Sequence, residues 1–203
     1  MTWPASLPST TSCGANTLRN RGDVEAADFC ACFNIAMQLQ RSPIALVAEA
    51  EGRIIAACCI GIFEDGKPRT NPTWVPCYDE MFVQATEMAK TADAKLEGSL
   101  FGDSREKATA DRFAATGNEY AQGQLNLIII VPEWQGKGLG RVLINLARAE
   151  LARVGCTKFF LMSDCNSDWQ FYERLNMKRI LEDHNQDTGD GFIVYMYGGD
   201  TQD

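Results

Sequence analysis

The densest chemical signal in the sequence is the run Val131-Pro-Glu-Trp-Gln-Gly-Lys-Gly-Leu-Gly-Arg141. It joins an apolar segment, Gln124 to Val131, to an amphipathic one that begins near Gly138. A strand-to-helix junction of this kind presents unpaired backbone N–H groups and the positive end of a helix dipole, which together favour an anion. Gly136, Gly138 and Gly140 would let a phosphate approach the main chain without interference from a Cβ, and Lys137 and Arg141 add positive charge at the rim. The run is not a P-loop, because no Gly-Lys-Ser/Thr follows at the required spacing. Nor is it a dinucleotide fingerprint, because no second βαβ unit with an acidic ribose partner accompanies it.

Other chemistries are constrained by what the chain lacks. His184 is the only histidine, so a Ser-His-Asp or Cys-His site would have to be built on it. The eight cysteines have neither zinc-knuckle spacing nor the setting of a small secreted disulfide scaffold, and they read as reduced, packed thiols with no metal expected. At 203 residues and a formal charge of −8, the chain is long enough for one generous domain and too acidic to favour non-specific binding to nucleic acid or an anionic membrane. The charge is uneven, with Lys137, Arg141, Arg148, Arg153 and Lys158 clustered against the single acid Glu150. The longest apolar run, Ile54 to Phe63, is about half of what a bilayer crossing needs. With no basic-then-apolar leader at the N-terminus, the expected location is cytoplasmic.

The elements that must position the loop follow from periodicity and punctuation. Residues 1–15 read as a flexible tail and 16–203 as one domain. Asp23 predicts an N-cap for a helix reaching Gln40, followed by a hairpin of Ile44 to Ala50 and Arg53 to Phe63 about the Glu51-Gly52 turn. Residues 64–122 read as a helical insertion, with a proline-marked loop and helices near Tyr78–Lys90 and Ser104–Thr116. A buried strand at Gln124–Val131, a helix from Gly138 to Val154, a strand at Lys158–Met162, a short helix at Asp168–Leu175 and a closing pair at Met177–Leu181 and Phe192–Tyr197 complete the order. This is an α/β or α+β domain with helices about a mixed sheet.

With these elements in place, the sequence resembles the GNAT (GCN5-related) N-acetyltransferase superfamily. Gln135-Gly136-Lys137-Gly138-Leu139-Gly140 matches its Gln/Arg-x-x-Gly-x-Gly/Ala signature, and Phe171-Tyr172-Glu173-Arg174-Leu175 stands downstream in the family order. The resemblance covers residues 120–198 well and 16–63 loosely. It departs at Trp169 and at Asn176-Met177, where the family more often has a small residue and Gly-Phe. It implies a mostly antiparallel sheet in which the strand before the loop splays from the next one. It also implies acetyl-coenzyme A as co-substrate. The pyrophosphate would lie on the amides of Gln135, Gly136, Lys137, Gly138, Leu139, Gly140 and Arg141, and the pantetheine arm against the strand edge at Ile129, Ile130 and Val131, with Asn166 as a further contact. Tyr172 matches the family's general acid. A phenol, with a pKa of about 10, keeps its proton at pH 7 and can donate it to a thiolate.

The activity implied is transfer of an acetyl group to a primary amine by direct attack in a ternary complex. The expected partners are a small-molecule or peptide amine and no nucleic acid or membrane, with a homodimer among the assemblies open to the chain. A non-catalytic acyl-coenzyme A-binding or regulatory domain, and another phosphate-ligand protein using the same loop, are the alternatives. The general base is open. The strand Leu125–Val131 holds no acid, and Glu119, Asp164 and the pair Asp79/Glu80 are the candidates. Trp74, Tyr78, Met81, Phe82, Phe113 and Tyr120 could wall an acceptor pocket.

Overall fold

The structure is a computed structural model that describes residues 23–184 and 193–202, apart from the Arg105 side chain. The expected tail at 1–15, the start of the domain at residue 16 and the polar turn before the last strand lie outside the described residues. The elements are α1 (Val24–Gln40), β1 (Ile44–Ala50), β2 (Arg53–Glu64), β3 (Lys67–Pro68), α2 (Val75–Ala89), α3 (Ala94–Ala115), β4 (Gly123–Ile130), a 3-10 turn (Pro132–Trp134), α4 (Leu139–Arg153), β5 (Lys158–Asp164), α5 (Gln170–Glu173), β6 (Lys178–His184) and β7 (Ile193–Asp200).

Local chemistry sets most of these boundaries. The Asp23 carboxylate accepts from the Ala26 N–H at 3.3 Å and starts α1. Glu51 and Gly52, both at positive φ, turn the β1–β2 hairpin. The second helix of the 64–122 segment begins ten residues before its expected start, because Asp93 caps it by accepting from the Leu96 N–H at 2.9 Å. Gly98 and Gly102 then lie inside the helix, where a Cβ would meet nothing, so packing overrides their low helix propensity. The same segment also holds the unforeseen two-residue strand β3, paired with β2.

The sheet order is β1-β2-β4-β5-β7-β6, with β3 beside β2. Every pairing is antiparallel except β4–β5, which is parallel and consists of only Gln124↔Phe160 and Leu125↔Leu161. Beyond those two rows the strands part, although β4 stays paired with β2 as far as Ile130 and β5 with β7 as far as Asp164. Burial follows the pairing: β4 is buried over Gly123–Leu125 and only half-buried from Asn126 to Ile130.

Side chains alternate between two covers. One face carries Ala56, Cys58 and Ile60 of β2 and Phe159 and Leu161 of β5 against Leu143, Ile144, Ala147 and Leu151 of α4. The opposite face carries Phe63, Phe160 and Met196 against Ala110 and Ala114 of α3. A second cluster, on Phe33 of α1, holds Ala85 and Leu100, and Phe33 stacks on Tyr78 of α2 at 5.8 Å. Between α1 and α3, buried Arg41 donates twice to Asp111, once at 3.2 Å through Nη1 and once through Nη2. Removing the carboxylate would leave a guanidinium with little water and no counter-charge. Asp111 is partly open to solvent, which moderates the cost. Asp111→Ala is expected to lower unfolding free energy by about 2 kcal/mol, read from urea melts, whereas Glu87→Ala, which breaks an exposed pair with Lys90, should change it by less than about 0.5 kcal/mol.

Candidate active site

The opening between β4 and β5 leaves part of a central strand without a neighbour. Val131 N–H donates to the Ile55 carbonyl at 2.9 Å, so by antiparallel alternation the main-chain groups of Ile129 also face β2, while those of Ile128 and Ile130 face the gap. Of the three residues expected at the strand edge, only Ile130 therefore turns its backbone to the opening. Its carbonyl accepts from the Gln135 side-chain amide at 3.0 Å. Gln135 thus ties the glycine loop to the end of β4, a positioning role that its place in the motif did not reveal.

The loop leaves β4 through the 3-10 turn, with Trp134 N–H on the Val131 carbonyl and Gln135 N–H on the Pro132 carbonyl. Gly136 and Gly138 have φ of 71° and 85°, and a Cβ at either would meet no atom within 4 Å. The space over these two residues is open, as an approaching anion requires. Gly138 is the N-cap of α4 and offers no side-chain cap, so the first N–H groups of a fifteen-residue helix are left for a ligand or solvent. Gly140 differs from the other two. A Cβ there would lie 3.1 Å from Phe171 Cζ, so this glycine allows α4 to approach α5, and the expected phosphate clearance belongs to Gly136 and Gly138 alone. Lys137 lies over the Trp134 ring at 4.7 Å, and Leu139 and Arg141 begin the helix.

Tyr172 stands on α5 next to Phe171, the ring that meets Gly140 at the start of α4. Its ring packs with Phe171 at 5.4 Å and Tyr197 at 5.6 Å, on the face that carries Cys58 and α4. Burial, reinforced by the charge of Asp168, pushes its phenol up to about 12, so the hydroxyl keeps its proton throughout the neutral range. Asn166 is exposed in the turn after β5, where its N–H donates to Asp164 Oδ1 at 2.7 Å.

The other sequence candidates separate clearly. Glu119 pairs with Lys158 at 2.9 Å, at the end of β5 where the strands are still joined. Asp79 and Glu80 are exposed on α2. Tyr78, Met81 and Phe82 pack around Phe33, and Phe113 and Tyr120 lie in the core under Phe160, so these side chains hold helices together; Trp74 is the N-cap residue of α2. The seven described cysteines are free, and burial raises the thiols of Cys30, Cys58 and Cys59. His184 is exposed and pairs with Glu182. Two surface hollows of about 280 and 470 Å³ lie by the C-terminus of α4, and neither includes the loop or Tyr172.

Missed in the sequence were Asp103, Glu106 and Lys107 on α3. Lys107 is buried, and both carboxyls are raised, chiefly by burial, Glu106 to about 7. Their helical spacing would have shown them as one face had the helix been started at Asp93.

Residues 101–177 match the family model described as the acetyltransferase (GNAT) family. The match covers less than half of the chain. It opens inside α3, earlier than the resemblance at residue 120, and runs through β4, the loop, α4, β5 and α5. No curated protein matches the chain. Among solved structures, the chain is similar to a putative GNAT-family acetyltransferase from Desulfovibrio desulfuricans, with 14% identity, 96% of this chain and 94% of the other covered, and a TM-score of 0.48. It is also similar to a Drosophila melanogaster polyamine N-acetyltransferase (19%, 77% and 74% covered, 0.46) and to the ribosomal-protein-S18-alanine N-acetyltransferase of Escherichia coli (13%, 78% and 68% covered, 0.44). Among the described residues, no helix is long and apolar enough to cross a membrane.

The backbone of the loop can be examined separately from any ligand. Gly138→Ala places a side chain in open space but in the left-handed region, and is expected to cost about 1 kcal/mol in a urea melt, with Gly138→Asn costing less.

Proposed function

We propose that the chain is an N-acetyltransferase that moves the acetyl group of acetyl-coenzyme A to a primary amine by direct attack in a ternary complex. The observation that carries the reading is the convergence, at one gap in the sheet, of an uncapped helix N-terminus, an open glycine turn and a buried phenol. The GNAT family uses acetyl-coenzyme A as co-substrate, which supplies an activated thioester. The residues present fit it: Gly136 and Gly138 leave room for a diphosphate against the main chain, and the α4 N-terminus faces it with free N–H groups. Gln135 through Arg141 would hold the diphosphate end. Ile130 would offer its N–H to the amide-bearing arm, with Ile129, Val131 and Asn166 beside it.

Strand addition of this kind satisfies the edge that β5 leaves open. Direct attack needs the amine to lose one proton before it attacks and a second as the amide forms, while the departing thiolate must gain one. Tyr172 gives the thiolate its proton. Its hydroxyl is neutral, held by packing on two sides, and on the same face as the helix that receives the diphosphate.

Two measurements test the reading. Purified protein should release free thiol from acetyl-coenzyme A when given primary amines; no release across a broad amine panel would leave a binding domain. Tyr172→Phe should lower kcat about 10- to 100-fold, with the calorimetric Kd for coenzyme A unchanged within about twofold. A purely packing tyrosine would leave kcat intact, since the phenyl ring remains.

A further inference from the structure

Helix α3 changes character along its length in step with the sheet beneath it. Over the joined part of β4 and β5 it presents Ala110 and Ala114 to Phe160. One to two turns back it presents Lys107, Glu106 and Asp103. On β5, Phe160 and Met162 face α3, and alternation puts Asp164 on the same side. From Phe160 to Asp164 the strand advances about 13 Å, and from Ala114 back to Glu106 the helix covers about 12 Å. The helix therefore runs along the gap, apolar where the strands pair and acidic where they part.

The surrounding charges bear this out. Glu106 interacts electrostatically with Asp103, Lys107 and Asp164, and Lys107 with Arg41, the C-cap of α1, and Cys59 of β2. Groups from β2 and from β5, the two strands flanking β4, thus meet at one cluster above the opening. Asp164 is already engaged below, accepting from Asn166 N–H and Ser167 Oγ, and Arg41 is held by Asp111. Among the described residues, no group of three His, Cys, Asp or Glu side chains is arranged to hold a metal ion, so the three carboxylates do not form a metal centre. Asn34 adds a buried carbonyl oxygen without a donor, while its amide bonds to the Ser99 carbonyl, one turn before Asp103.

Tyr172 belongs to the α4 face of the sheet and Glu106 to the α3 face. In direct attack the incoming nitrogen and the departing sulfur lie on different sides of the acetyl carbon, so the group that takes a proton and the group that gives one must also be separated. We propose that Glu106 is the general base of the acetyl transfer, with Asp103, one turn earlier on the same helix face, as a positioning residue. This rests on the N-acetyltransferase reading. The ammonium proton of the acceptor passes to the Glu106 carboxylate, and the freed nitrogen lone pair forms the C–N bond to the acetyl carbon. The C–S bond breaks and its electron pair stays on sulfur, which takes the Tyr172 hydroxyl proton. The acylated nitrogen releases its second proton to water as the amide forms, Glu106 returns its own to solvent, and Tyr172 regains one from solvent, so that one proton is released overall.

The test is a pH series of kcat/KM by thiol release for the full chain and two variants, with calorimetric binding of acetyl-coenzyme A alongside. In the wild type, activity should rise with pH through a limb near 7, where Glu106 ionises. Glu106→Gln should lose about 100-fold in kcat and lose that limb, with cofactor Kd unchanged. Asp103→Asn removes a negative neighbour that raises the Glu106 pKa, so its limb should move to lower pH, a response that a structural role would not give. An active wild type whose Glu106→Gln variant keeps both rate and limb, or whose limb stays fixed in Asp103→Asn, overturns the assignment alone. A wild type that binds acetyl-coenzyme A but acetylates nothing overturns the acetyltransferase reading, and this assignment with it.

Discussion

The parting of β4 and β5 after two paired rows is the constraint on which the rest depends. A central strand normally satisfies its backbone on both sides, and β4 does so only as far as Leu125. From there its main chain has a partner in β2 but none in β5, and its isoleucines lose half their cover. An unpaired, apolar edge inside a sheet is unstable unless something extended lies against it. The same divergence lets the loop after β4 turn outward, so the N-terminus of α4 opens onto the gap. The uncapped helix N-terminus and the open strand edge follow from one geometric event.

The two faces of the sheet hold the gap in different ways. On the α4 side the cover is apolar and continuous, with Gly140 letting α5 come close enough for Phe171 to sit on α4. Tyr172 is carried into that contact and desolvated by it. On the α3 side the cover turns polar over the open end, and the buried Lys107 and Arg41 are tolerated because carboxylates surround them. Raising the Glu106 carboxyl means that its charged form is disfavoured by folding. Its contribution to stability is therefore greatest at low pH and is lost as pH rises through about 7. That loss is tolerated where a carboxylate must accept protons near neutrality.

Sequence alone determined the elements that local chemistry commands. Asp23 capped α1, the Glu51-Gly52 turn set the first hairpin, and the glycine loop between a stretch of aliphatics and an amphipathic helix marked the candidate anion site. It did not separate the glycines by role: Gly136 and Gly138 adopt positive φ, whereas Gly140 is required by an aromatic ring thirty residues away in the chain. Only the tertiary structure showed which carboxylates are desolvated, because desolvation is a property of what surrounds a group and no residue carries it in its type. Glu119, Asp79 and Glu80 are as acidic as Glu106, but they stand in water or beside a lysine. Only packing α3 lengthwise across the divergent strands takes Glu106 away from water and sets it across the sheet from Tyr172.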